Sequence, residues 1–115
     1  MSTRKGRRYE EEASKALEEL GLSLLERNYH TPFGELDIVA KDGDCLCFVE
    51  VKGRSSISEW TLDALPISKQ RKIINSIEYY LQKNEGDISY QELEIGAFFL
   101  EGGTWTFLRD AFDGF

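Results

Sequence analysis

The sequence predicts an α/β domain in which helices pack on one mixed β-sheet. Two segments carry apolar residues at helical spacing, and five shorter segments have the composition of strands. Their predicted order along the chain is α-β-β-β-α-β-β. A meander of three strands followed by a crossover helix implies parallel as well as antiparallel neighbours in the sheet. The length of 115 residues predicts a single domain spanning residues 1–115.

The first half of the chain predicts one helix and three strands. The helix runs from about Lys5 to Leu20, because apolar residues share one of its faces, and Gly21 is a good C-terminal stop. Asp42-Gly43 is a strong tight-turn signal. The three strands are predicted at Leu22 to Tyr29, Gly34 to Lys41 and Asp44 to Lys52.

The second half predicts a helix and a final pair of strands. The helix begins between Pro66 and Ser68 and runs to about Gln82, with isoleucines, a tyrosine and a leucine in its buried stripe. The segment from Gly53 to Leu65 is predicted as a loop or mixed segment with no assigned element. The last strands are predicted at Leu93 to Leu100 and at Thr104 to Leu108, joined by Gly102-Gly103.

The hairpin of strands two and three brings charged residues together. With Lys41 opposite Asp44, the register sets Asp37 opposite Phe48 and Glu35 opposite Glu50. Side chains alternate across a strand, so this register places the charged groups on one face near one end. On that face it also places Val39, Leu46 and Phe48, and it assigns Leu36, Ile38 and Ala40 to the other face. The four charged groups are Glu35, Asp37, Glu50 and Lys52.

Such a cluster has two interpretations. Carboxylates placed directly opposite each other repel, so they are either solvated on a half-exposed strand or neutralised by a cation. Dense oxygen ligands suit Mg²⁺ or Mn²⁺, which also accept phosphate oxygens. A bound ion would activate a water for phosphodiester hydrolysis, and Lys52 would orient that water or stabilise the developing charge.

Charge and cysteine content narrow the function classes. The net charge of −7 argues against a strongly basic nucleic-acid binder, although residues 1–9 carry four basic groups and no acidic one. We expect residues 1–5 to be a flexible basic arm. Cys45 and Cys47 lie two apart with diverging side chains, and with one histidine in the chain they are predicted to be small buried residues rather than zinc ligands. A reducing, cytoplasmic setting follows, and no stretch is long enough to span a membrane.

At the hairpin the sequence resembles a known family. The motif Gly34-Glu35-Leu36-Asp37, followed by Phe48-Val49-Glu50-Val51-Lys52-Gly53-Arg54, is similar to that of the YraN family of small bacterial proteins. That family looks like a branch of the PD-(D/E)xK nuclease superfamily, close to the archaeal Holliday-junction resolvases. One departure is Glu94-Ile95-Gly96, which replaces an Arg-x-Asp element in the fourth strand and would remove an ion pair that anchors the sheet.

The resemblance implies a restriction-endonuclease-like fold and a set of site residues. Asp37, Glu50 and Lys52 would be catalytic. Glu10, Asp37, Glu50 and the main chain of Val51 would hold Mg²⁺ or Mn²⁺, with Glu35 in a supporting role. Lys69 at the start of the second helix would face phosphate. The distribution of charge along the chain, rather than the resemblance, adds Arg54, Arg71 and Lys72 to the predicted nucleic-acid-binding surface.

The expected function is metal-dependent hydrolysis of phosphodiester bonds in DNA, including branched or structured DNA. A homodimer would allow symmetric cutting of two strands, although the sequence names no dimer surface. The alternative is a weakly active or inactive module on the same fold, which uses its basic residues to bind nucleic acid or a protein partner.

Overall fold

The computed structural model describes residues 4–53, 67–101 and 104–110, and it contains two helices and five strands. The element order confirms the predicted α-β-β-β-α-β-β arrangement and the mixed α/β class. Segment 54–66, which the sequence left unassigned and which includes Arg54, lies outside the described residues, as do residues 1–3 of the predicted basic arm. The elements are α1 (Arg4–Glu19), β1 (Ser23–Thr31), β2 (Gly34–Asp42), β3 (Cys45–Gly53), α2 (Ile67–Lys83), β4 (Glu92–Glu101) and β5 (Thr104–Leu108).

The five strands form one sheet in the order β1-β2-β3-β4-β5. Neighbouring strands pair antiparallel except β3 and β4, which pair parallel because the chain crosses over through α2 between them. Neither described helix is long and apolar enough to cross a membrane.

Each face of the sheet is covered by one helix. The prediction that both faces are buried is thereby confirmed, and it explains why apolar residues occur on both sides of β2 and β3. The cluster under α1, formed between that helix and the sheet, consists of Ala13, Ala16, Leu17, Leu22, Ile38, Ala40, Cys47, Val49 and Phe98. The cluster under α2, formed in the same way, consists of Leu36, Val39, Leu46, Phe48, Ile73, Ile77, Tyr80, Ile95, Ala97 and Phe99.

The C-terminus of α1 is closed by a left-handed glycine. Gly21 has a φ of 97°, its N–H donates to the Glu18 carbonyl at 2.9 Å, and the Leu22 N–H donates to the Leu17 carbonyl at 3.0 Å. This pair of hydrogen bonds is the Schellman arrangement, and Leu17 and Leu22 share the apolar cluster under α1. The cap therefore sets the angle at which the chain leaves α1 for β1.

The β2–β3 hairpin has a different register from the predicted one. Asp42 pairs with Cys45 and Ile38 with Val49, so the two-residue turn is Gly43-Asp44 rather than Asp42-Gly43. Gly43 supplies the positive φ, 60°, that such a turn requires at its first central position. The same register, carried one residue further, sets Asp37 opposite Glu50 instead of Phe48.

The alternation of side chains in β2 breaks at Asp37. Leu36 belongs to the cluster under α2 and Ile38 to the cluster under α1, although the predicted alternation placed both on one face. The β1–β2 pairs Arg27↔Ile38 and Tyr29↔Leu36 flank this point, and Asn28 between them has a left-handed φ of 52°. A local kink at this point therefore reorients β2 around Asp37.

Candidate metal centre

Three carboxylates from two elements converge at one end of the sheet. Glu10 comes from α1, and Glu35 and Asp37 come from β2; their ligand oxygens all lie within 4.8 Å of one another. The kink at Asp37 and the burial of Glu10 on α1 bring these groups together. Glu35 also approaches the exposed His30, with 3.7 Å between its Oε2 and the histidine Nδ1.

Glu10 is the buried member of this group. It is 6% exposed, and its Oε2 has no hydrogen-bond partner among the described residues, while the Asn28 side chain hydrogen-bonds to the carboxylate. Burial and the charge of Asp37 raise the pKa of Glu10 to about 7. A buried carboxylate oxygen with no partner is costly, so a cation at this position would compensate it.

Asp37 and Glu50 lie side by side where β2 and β3 diverge. The Val51 N–H donates to Asp37 Oδ2 at 2.9 Å, and the Asp37 N–H donates to the Glu50 carboxylate. Burial raises the pKa of both groups, and the charge of Asp37 helps to raise that of Glu50 to about 8. The charge of Asp37 thus opposes the ionisation of Glu50 beside it.

Two lysines border the carboxylates. Lys52, two residues beyond Glu50 on β3, lies close to Lys69 in the first turn of α2. Burial, followed by the close approach of Lys69 and its like charge, lowers the pKa of Lys52, while both lysines favour the ionised forms of Asp37 and Glu50. The site therefore joins negative and positive groups of the kind that bind a metal ion and a phosphate together.

The donor set fits a hard divalent cation. Two oxygens on opposite sides of Mg²⁺, each at about 2.1 Å, are about 4.2 Å apart, which is comparable with the spacing in the cluster of Glu10, Glu35 and Asp37. All three groups offer oxygen, the ligand that Mg²⁺ and Mn²⁺ prefer. A cation would also offset the burial and the neighbouring negative charge that raise the pKa values of Glu10 and Asp37.

The structure brings some of the predicted site residues together at the carboxylate centre and leaves others exposed on α2. Glu10 and Glu35 join Asp37 in the tightest group, so Glu35 lies nearer the centre than its supporting role implied. Val51 contributes its N–H to Asp37, and the participation of its carbonyl stays a prediction. Arg71 and Lys72 are exposed on α2, two and three residues beyond Lys69.

Asn28 matches the family pattern in sequence, but no role in the site was predicted for it. Its left-handed backbone lies at the kink, and its side chain hydrogen-bonds to Glu10. An asparagine inside a strand pattern is the signal that could have found it, because Asn tolerates the left-handed region better than most residues do.

Comparison with known proteins identifies the family. The model of the family described as "Uncharacterised protein family UPF0102" matches residues 9–101, which include most of α1, all of α2 and all the carboxylates of the site. The chain belongs to this family, the YraN family. The resemblance noted in the hairpin motifs is therefore confirmed at the level of the family.

Several curated UPF0102 proteins are similar to this chain. A relative from Syntrophus aciditrophicus is 39% identical over 117 residues, covering 98% of this chain and 91% of its own length. One from Wolinella succinogenes is 36% identical, covering 96% and 97%. One from Pseudoalteromonas translucida is 48% identical over 81 residues, covering 70% of this chain and 66% of that relative.

Proposed function

We propose that this UPF0102 protein is a metal-dependent nuclease that hydrolyses phosphodiester bonds in DNA, including branched or structured DNA. The observation that carries the proposal is the convergence of Glu10, Glu35 and Asp37 around a carboxylate oxygen with no described partner, beside two lysines. Buried acids and bases with opposed pKa shifts are typical of catalytic sites. The PD-(D/E)xK assignment of the resemblance agrees with this chemistry.

Different residues of the site would bind the metal, orient the attacking water and bind the phosphate. Glu10, Glu35, Asp37 and Glu50 would hold Mg²⁺ or Mn²⁺, which when bound supplies a lowered pKa for water and charge stabilisation at the phosphate. Lys52, with its lowered pKa and its position next to Glu50, would orient the attacking water and take up its proton. Lys69 would bind a non-bridging phosphate oxygen at the edge of the site.

A second function is favoured by the charge of the chain. The net charge of −7 opposes close approach of a polyanion. A module that keeps the fold, binds metal and docks a nucleic acid or protein without cutting would tolerate such a field. Both functions use the same site, so only turnover separates them.

Cleavage of labelled DNA is the direct test. Four-way junctions, nicked duplexes, single strands and intact duplexes are incubated with the protein in Mg²⁺, Mn²⁺ or EDTA. We expect metal-dependent cutting that falls by about 100-fold or more in Asp37→Asn and Lys52→Met, since each removes a group that acts on the transition state. Glu78→Gln, an exposed carboxylate on α2, is the matched control and should cut like the wild type.

The outcomes separate the two functions. Survival of every substrate, together with metal-dependent binding of DNA or a protein, would establish the non-catalytic module. Cutting that is equal in wild type and Asp37→Asn would point to a contaminating nuclease and contradict the assignment of the site.

A further inference from the structure

A second cluster of metal-ligand types lies at the opposite end of β3 from the carboxylates. Cys45 and Cys47 have their Sγ atoms 3.8 Å apart, and the Glu94 Oε1 lies 3.0 Å from Cys47 Sγ. All three ligand atoms are within 4.8 Å of one another. The prediction that the two cysteine side chains diverge is wrong, because their thiols turn toward each other and toward β4.

The backbone explains the grouping. Cys45 and Cys47 share one face of β3, and the parallel register pairs Cys47 directly with Glu94 of β4. Residues two apart on a strand are separated by about 6.6 Å at their Cα atoms, so thiols 3.8 Å apart must both lean inward. Tetrahedral zinc with Zn–S bonds of about 2.3 Å places two thiolates about 3.8 Å apart. The sulfur spacing therefore matches that of a two-cysteine zinc site.

Arg109 supplies the charge that such a site needs. Its Nε donates to Glu94 Oε1 at 2.7 Å, one terminal nitrogen contacts Cys47 Sγ at 3.5 Å, and another donates to Asp42 at 2.6 Å. Two thiolates and a carboxylate around a divalent cation carry one net negative charge, which the guanidinium, also paired with Asp42, partly offsets. Hydrogen bonds of this outer kind orient and stabilise metal ligands. Glu94 thus has an ion pair with Arg109, so the departure from the family's Arg-x-Asp element does not leave β4 without one.

The cluster is also open on one side. A cavity of about 400 Å³ borders it, large enough for water to complete the coordination. The acidic residues on its wall favour cations over anions. Its lining consists of Cys45, Glu92, Leu93, Glu94 and Asp110.

We propose that Cys45, Cys47 and Glu94 form a binding site for a thiophilic divalent cation such as Zn²⁺, with water as the fourth ligand. The site is separate from the carboxylate centre, because Cys45 and Glu50 are five residues apart along β3, about 16 Å. Its soft ligands select a different metal from the oxygen cluster. A cation there links β3 to β4 and stabilises the parallel pair that supports Glu50 and Lys52.

Metal titration of the reduced, metal-stripped protein tests the proposal. Cd²⁺ and Co²⁺ are added as spectroscopic substitutes for Zn²⁺, and Zn²⁺ is then used to displace them. We expect one equivalent to produce a thiolate-to-metal charge-transfer band, with Co²⁺ spectra typical of tetrahedral coordination. Cys45→Ala and Cys47→Ala should abolish the band, and Arg109→Lys should weaken affinity by about 10- to 100-fold, as loss of outer hydrogen bonds does.

Asp37→Asn is the matched control, since it alters the carboxylate centre and leaves the thiols in place; its charge-transfer band should equal that of the wild type. Glu94→Gln keeps both thiols and should weaken binding without removing the band, which guards against a cysteine variant that fails to fold. Absence of the band at one equivalent of metal would overturn the proposal, as would a band that persists without both cysteines or disappears in Asp37→Asn.

Discussion

Replacing Glu10 with glutamine tests the electrostatics of the carboxylate centre most directly. Glutamine has nearly the same shape and cannot ionise, so the substitution removes the titration of this group and little of its packing. In the folded protein the pKa of Glu10 is about 7, against an ordinary value of 4.5. Because the folded state holds the proton more tightly, this group contributes its stability below about pH 4.5 and loses it as the pH rises through about 7.

The magnitude follows from the shift. A pKa raised by about 2.5 corresponds to about 3 kcal/mol, and about 2 kcal/mol of this is lost between about pH 5 and about pH 8. In EDTA, the metal-free Glu10→Gln variant should therefore gain about 2 kcal/mol of unfolding free energy relative to wild type over this range. Urea unfolding at the two pH values measures the difference, and any constant packing cost cancels between them.

Bound metal should reverse the order of the unfolding free energies of the wild type and Glu10→Gln. Saturating Mn²⁺ at about 100 times its dissociation constant should stabilise the wild type by about 2.7 kcal/mol, and Glu10→Gln should lose most of this gain along with a ligand. Glu11→Gln, the exposed neighbour on α1, is the matched control and should behave as wild type both in EDTA and in Mn²⁺. A variant-minus-wild-type difference that stays flat with pH, or an undiminished response to Mn²⁺, would refute the reasoning.

Two further predictions concern the centre and its support. The affinity for Mn²⁺ should rise from about pH 6 to about pH 8, because Glu10 and Glu50, with pKa values raised to about 7 and about 8, must release protons when the ion binds. Calorimetry in buffers of different ionisation enthalpy should detect the released protons. A pH-independent affinity would contradict the raised pKa values. Leu17→Ala should lower the unfolding free energy by about 2–5 kcal/mol, since Leu17 is fully buried between α1 and the sheet. Leu20→Ala, at a residue that is 51% exposed just beyond the end of α1, should cost under about 1 kcal/mol by urea denaturation. Equal losses at the two positions would argue against the packing of α1.

The helices and strands were predictable because their signals are local. Apolar spacing placed α1, α2 and all five strands in order, and the predicted β5 has the observed bounds, Thr104–Leu108. The hairpin turn was displaced by one residue, from Asp42-Gly43 to Gly43-Asp44. That error changed the partner of Asp37 from Phe48 to Glu50, and it kept Glu50 and Lys52 on the same face because the register moved by two residues.

The carboxylate centre was predicted only in part. Asp37, Glu50 and Lys52 were found from the hairpin motifs, and Glu10 came from the resemblance to the YraN family. The approach of Glu35 to Glu10 depends on the kink at Asn28 and Asp37, and the sequence-based alternation of β2 contains no kink.

The amino-acid sequence by itself determined the α/β class, the element order, the two buried faces and the family, because periodicity and motifs are properties of neighbouring residues. Only the tertiary structure decided which carboxylates meet, that the thiols of Cys45 and Cys47 converge on Glu94, and that Arg109 reaches them from the end of β5. These contacts join residues up to 67 positions apart in the chain. Their distances depend on strand register, backbone kinks and helix docking, each of which is set by the packing of the whole domain.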